Sequence, residues 1–214
     1  MSKNKISVNL DGLFRQNIVL MSGLVTAPII VAATSGERAV VLVLSFFMMS
    51  YTSILLCRFI PRKIVYTVRT MLYAAVAAVM FIPTVMLLEM WFPETTQSVM
   101  LYIELLTVNS LLLAKTESRF YLKPYGEMAV DALIYIAGYA IAAFVVGITR
   151  ELLAYGTFFG FRLFEPLMPA AHSPFFGFIL VGILAAVCRV ISGKRVGNRA
   201  KPSLFSKKSK EDAQ

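Results

Sequence analysis

The sequence predicts an all-α integral membrane protein, with six transmembrane helices in two inverted three-helix repeats and spans 1 and 4 broken at mid-membrane. Three observations lead there. Of the 214 residues, 58% are hydrophobic and only 15% charged, and the mean hydropathy is +0.73, more apolar surface than a soluble core can hide. Six stretches, near residues 16–35, 39–57, 65–88, 97–114, 130–149 and 173–191, are long enough as helices to cross a hydrocarbon layer of roughly 30 Å. Barrel strands would be about half that length and would alternate. Two stretches, residues 24–38 (LVTAPIIVAATSGER) and 105–121 (LLTVNSLLLAKTESRFY), are each apolar, interrupted, and closed by a charged turn. Interrupted segments in corresponding positions of two halves point to an inverted repeat with a site where the breaks meet.

The chain divides into an N-terminal segment, 1–15, a membrane domain, 16–191, with halves of about 16–95 and 96–191, and a basic tail, 192–214. The first segment has no apolar core of signal-peptide length; Ile6, Val8, Leu10, Leu13 and Phe14 suit an interfacial position. Span 1 is interrupted at Thr26-Ala27-Pro28, because proline cannot donate to the helix ladder. Span 2 is bulky, and its Met48, Met49, Ser50 and Ser53 read as packing. Span 3 carries Ala74, Ala75, Ala77 and Ala78, which let helices approach closely, and ends in Glu89, Trp91, Phe92, Pro93 and Glu94, an aromatic anchor and an acidic turn. Span 4 is interrupted by Thr107, Asn109 and Ser110. Span 5 opens with Asp131 and runs to Arg150-Glu151 and a stop at Gly156. Residues 157–172 are too short and too proline-rich to cross, and span 6 follows Ser173-Pro174.

Orientation follows from lysine and arginine, which short translocated loops exclude. With both termini cytoplasmic, all but three of the 21 basic residues (Arg38, Arg150 and Arg162) fall inside. The net charge of +9 is then a topological signal and an attraction to anionic lipid, so no nucleic-acid partner is expected. Cys57 and Cys188 fall at the cytoplasmic ends of spans, where a disulfide is not expected.

Within the spans, Glu104 stands out, with about nine uncharged residues before it and ten after. It is either an ion-path carboxylate facing protein or water, or one near the outer interface that caps a half-helix. Asp131 and Arg150-Glu151 are ion-path candidates or structural pairs at helix ends. His172 reads as a turn residue, and Gly156-x-x-x-Gly160 sits at a helix stop, a poor place for a dimer motif. The sequence contains no Gly-rich phosphate loop, nucleophile elbow or metal-ligand cluster, so no catalytic or metal-binding residue is assigned.

Four stretches together resemble the six-span Rnf/Nqr membrane proteins, the E subunit of Rnf and the D subunit of the sodium-pumping NADH:quinone oxidoreductase. Gly12-Leu13-Phe14-Arg15-Gln16-Asn17 is similar to the entry motif of those proteins. Pro28 matches the proline of their Gly-Leu-Cys-Pro segment, and Thr107-Val108-Asn109-Ser110 matches their Thr-Val-Asn-Cys segment, with Lys115 and Glu117 following. Asp131, Arg150-Glu151 and Gly156-Thr157-x-Phe159 stand at the family's intervals. The resemblance implies a bacterial or archaeal inner-membrane subunit beside a homologous six-helix sister chain. It also implies a [2Fe–2S] cluster shared by two cysteines from each chain. Those positions are Ala27 and Ser110 here, so this chain alone is expected to bind no cofactor.

Three functions are then open. The first is a non-catalytic subunit of an Rnf/Nqr-like ion-translocating electron-transport complex. The second is a redox-inactive paralogue that passes an ion or small solute at a central broken-helix site of Thr26, Ala27, Pro28, Thr107, Asn109 and Ser110, with Glu104 and Asp131 on the path. The third is a structural or assembly scaffold.

Overall fold

The structure, a computed structural model, describes residues 17, 19–21, 23, 25–61, 63–107, 109, 116–118, 120 and 123–190. Ser110, one of the residues singled out from the sequence, lies outside them. The described chain is mostly helical: α1 (Thr26–Ala32), α2 (Gly36–Cys57), α3 (Tyr66–Trp91), α4 (Pro93–Thr107), α5 (Tyr125–Tyr155) and α6 (Pro174–Val190). Three of these, α2, α3 and α5, are long and apolar enough to cross a bilayer, at 22, 26 and 31 residues, and α6 is a shorter apolar helix. In the two stretches expected to be broken, α1 has 7 residues and α4 has 15.

Local chemistry sets the helix boundaries. Pro28 is the third residue of α1, where a missing N–H leaves no intrahelical bond unmade, so it opens this helix rather than breaking one. Before it, Gly23 and Val25 take positive φ angles of 65° and 57°. Ser35 caps α2, its side chain accepting from Arg38 N at 3.3 Å, and Glu37 adds an acid to the first turn. Pro93 starts α4 directly after Phe92, the single residue that separates it from α3. Pro83 lies inside α3, and the adjacent Thr84 hydroxyl bonds back to Met80 O at 2.8 Å. A π-helical turn, Phe47–Tyr51, widens the middle of α2.

The core lies where α2 meets α5, and α4 packs against α1, α2 and α3. Phe46 of α2 stacks on Tyr139 of α5 with ring centroids 4.1 Å apart. At the Tyr66 end of the bundle, Glu117, in a helical turn at Thr116–Ser118, accepts from Arg69 Nε at 3.0 Å and from the Tyr73 hydroxyl at 2.9 Å. Lys123 pairs with buried Asp131 at the same end.

At the Trp91 end, two consecutive residues of α5 close the bundle. The Arg150 guanidinium is fully buried and donates to Ile30 O (2.7 Å), Ala33 O (3.3 Å), Ala171 O (3.1 Å), His172 O (2.7 Å) and Ser173 O (3.2 Å). The Glu151 carboxylate accepts from Gly36 N (2.6 Å), Thr157 Oγ1 (3.0 Å) and Gly160 N (2.9 Å). The cation thus meets the carbonyl end of α1, the anion meets the amide end of α2, and each matches the helix dipole it faces. Neighbours on a helix point about 100° apart, so one helix turn serves both ends.

Beyond α5, Gly156 takes φ 67° as a left-handed stop, and a Cβ there would lie 2.1 Å from Phe164 O. A two-residue hairpin, β1 (Thr157–Phe158) and β2 (Phe161–Arg162), turns through Phe159 and Gly160 at φ 49° and 81°. A 3-10 turn, Pro169–His172, leads into α6, and Gly177 there comes so close that a Cβ would meet Ile30 O at 2.4 Å.

Two outcomes follow. Arg150→Lys unfolds in detergent almost as early as Arg150→Ala, at a cost of about 3 kcal/mol or more, because one ammonium cannot reach carbonyls on both α1 and the segment before α6. Thermal unfolding followed by circular dichroism checks it; near-wild-type stability of the lysine variant would refute the bridging role. Val25→Gly raises stability by about 1 kcal/mol in the same measurement, since a β-branched residue in the left-handed region is strained where glycine is not.

Candidate functional site

The two stretches expected to be broken meet inside the bundle. α1, which carries Thr26, Ala27 and Pro28, packs against α4, which ends at Thr107. Pro28 is buried, Thr26 and Thr107 are half-buried, and Ala27 faces outward. The Thr26 hydroxyl reaches back to Gly23 O at 3.5 Å. Asn109, buried just past the end of α4, donates from its amide to Leu106 O at 2.7 Å and to the Ser50 hydroxyl at 3.0 Å.

A second asparagine works the same way on the segment before α1. Asn17 is buried; its Oδ1 accepts from Val19 N and Leu20 N at 2.9 and 3.1 Å, and its Nδ2 donates to Gly138 O at 2.8 Å. Each amide therefore bonds to backbone of its own segment and ties it to the middle of a long helix: Asn17 to α5, Asn109 to the π-turn of α2. An apolar surrounding makes such pairing obligatory, because an unpaired buried amide loses its water without replacement. The Phe46–Tyr139 stack joins the same two helices, Tyr139 directly following Gly138.

The carboxylates singled out from the sequence lie elsewhere. Asp131 is buried at the Tyr66 end and held by Lys123. Glu104 is exposed on α4, on the side away from the buried Ile103 and Leu106. Ser50 emerges as a partner that the sequence does not mark, since a serine in a bulky span carries no signal of the asparagine it will meet. Asn17 reads in the sequence only as part of an entry motif; an amide at the edge of an apolar run is the one sign of its role.

As for metal chemistry, no group of three or more His, Cys, Asp or Glu side chains is gathered among the described residues. Cys57 is buried at the end of α2, and Cys188 is half-buried near the end of α6; both are free thiols. Ala27, at the outward face of α1, has no donor atom to offer an iron centre.

Comparison with known proteins fits this arrangement. The family model described as "Rnf-Nqr subunit, membrane protein" matches residues 5–185. Among curated relatives, the chain is 25% identical to the E subunit of the Na(+)-translocating ferredoxin:NAD(+) oxidoreductase complex of Acetobacterium woodii, over 81% of this chain and 90% of that one. It is 25% identical to the D subunit of the Na(+)-translocating NADH-quinone reductase of Serratia proteamaculans, over 77% of this chain and 78% of that one. It is 26% identical to the E subunit of the proton-translocating ferredoxin:NAD(+) oxidoreductase complex of Clostridium ljungdahlii, over 58% and 59%. With the family model covering nearly all of the membrane domain, the chain belongs to the Rnf-Nqr family of membrane subunits.

Proposed function

We propose that this protein is an integral membrane subunit of an ion-translocating electron-transport complex of the Rnf/Nqr kind, and that it keeps the fold and partner contacts while supplying no thiolate at the family's cluster positions. The observation that carries the reading is the family match across residues 5–185, joined to relatives named as subunits of such complexes. On this reading the chain crosses an inner membrane six times, both termini are cytoplasmic, and it works beside a homologous sister chain. The protein is a non-catalytic subunit, and the electron donor and acceptor act on other chains.

The crossed asparagine contacts support the inverted repeat. If spans 1, 2 and 3 correspond to spans 4, 5 and 6, a bond from span 1 to span 5 has as its counterpart a bond from span 4 to span 2. Asn17 to Gly138 and Asn109 to Ser50 form that pair. The outward position of Ala27 supports a centre shared between chains, since the family's cysteine would face a neighbour from there. The residue present does not fit an iron ligand, however, and a serine at 110 is a poor replacement for a thiolate. A solute path through this chain alone is less favoured, because the central amides are engaged with protein rather than free for an ion.

Purification of the tagged chain from its native membrane tests the reading. The expected result is co-migration of a second six-helix protein and of redox subunits, with no reducible [2Fe–2S] EPR signal from this chain when isolated. A homo-oligomer free of other proteins would overturn membership of a complex. Iron bound stoichiometrically by the isolated wild-type chain would overturn the loss of ligation. The double variant Ala27→Cys/Ser110→Cys is expected to gain iron only when the sister chain is co-expressed, measured as metal content per complex.

A further inference from the structure

On the reading that the chain is one subunit of a complex, α4 presents an exposed face that carries polar and acidic residues. Glu94, Gln97, Ser98, Leu101, Glu104 and Leu105 are exposed and recur every three or four residues, so they form one stripe; Thr96, Val99, Ile103 and Leu106 form the opposite, buried face. Neighbouring α3 is different. Its exposed side includes Val68, Met71, Leu72, Val79, Ile82 and Met86, which suits acyl chains.

Glu104 decides what covers the stripe. α4 starts at the same end as α3 finishes, and Glu104 follows Pro93 by 11 residues. That is a rise of about 16 Å, roughly half of a hydrocarbon layer about 30 Å thick. A glutamate stem is too short to carry its charge to either interface, as the longer Lys and Arg stems do. Nothing among the described residues bonds to it. Among the described residues, Glu104 is left without a partner.

We propose that the α4 stripe seats a transmembrane helix of a different subunit, which brings a lysine or arginine to the depth of Glu104. Charge complementarity selects a cationic helix. At the Trp91 end, the stripe opens into a cleft lined by Glu37, Glu94, Arg38, Thr95, Ser98 and Tyr155, where carboxylates outnumber the one cation. A second copy of this chain is disfavoured on the same ground, because a two-fold contact would set one acidic stripe against another.

The test places a photo-cross-linking phenylalanine analogue at Leu101 or Leu105, and at Met86 as the lipid-facing control, in cells that express the full complex. Leu101 and Leu105 are expected to capture a different membrane subunit through a helix containing Lys or Arg, and Met86 to capture none. Glu104→Lys should lower co-purification of that partner by about tenfold or more, with the variant still monodisperse. Glu104→Gln should have a smaller effect, and exchange of the partner's cation for glutamate should restore the Glu104→Lys yield. Cross-links to lipid only, to a second copy, or to a helix without a basic residue would overturn the proposal, as would unchanged yield from Glu104→Lys. If the wild-type chain brings down no other protein at all, the proposed function fails; if it does so regardless of charge at 104, only this inference fails.

Discussion

Backbone groups at a helix end must find partners, and inside an apolar bundle those partners must be protein. α1 ends and α2 begins within three residues, so acceptors and donors crowd together at Ala33, Thr34 and Ser35. Arg150 and Glu151 resolve this. A guanidinium offers five donors in a fixed fork, and here it meets five carbonyls from two separate segments. The adjoining carboxylate takes three donors from α2 and the hairpin. Because the two residues are consecutive on α5, the placement of α1 and of the start of α2 against α5 follows from the rotation of that one helix. The position of Ala27 depends on it in turn.

The same requirement explains how the centre of the molecule holds its shape. Asn17 and Asn109 each bond to a neighbouring long helix as well as to their own segments. None of these bonds needs a metal. The segments that carry α1 and Asn109 are thus held by amides of the chain itself. The positive φ at Val25 fits this separation: the turn into α1 is kept where the side chain is a strained one.

Much of the architecture is legible in the sequence because length and apolarity are local signals. α2, α3 and α5 fall on three of the six predicted stretches, the Trp91-Phe92-Pro93 turn separates two helices, and residues 157–172 form a hairpin and a 3-10 turn rather than a crossing. The site is less legible, because it is made of pairings between distant residues. Pro28 reads as a helix breaker, yet at the third position of α1 it costs no hydrogen bond. Ser50 acquires a role only when Asn109, 59 residues away in the chain, is brought within 3.0 Å of it. Arg150 reads as one of three exceptions to the charge asymmetry, and its burial among carbonyls gives it a structural reason to be there.

Accounting for polar groups also separates what this chain completes alone from what it leaves to others. Arg69 and Glu117 satisfy one another at the Tyr66 end, Lys123 satisfies Asp131, Arg150 and Glu151 close the Trp91 end, and the asparagines tie the middle. All of these charges lie near helix ends or are met by protein. Glu104 differs, a carboxylate in the last turn of α4 and on its outer side, to which no described residue bonds. A self-sufficient transporter would turn such a group inward, toward Asn109 and Thr107. Its outward position leaves it exposed, with no bond from the described residues.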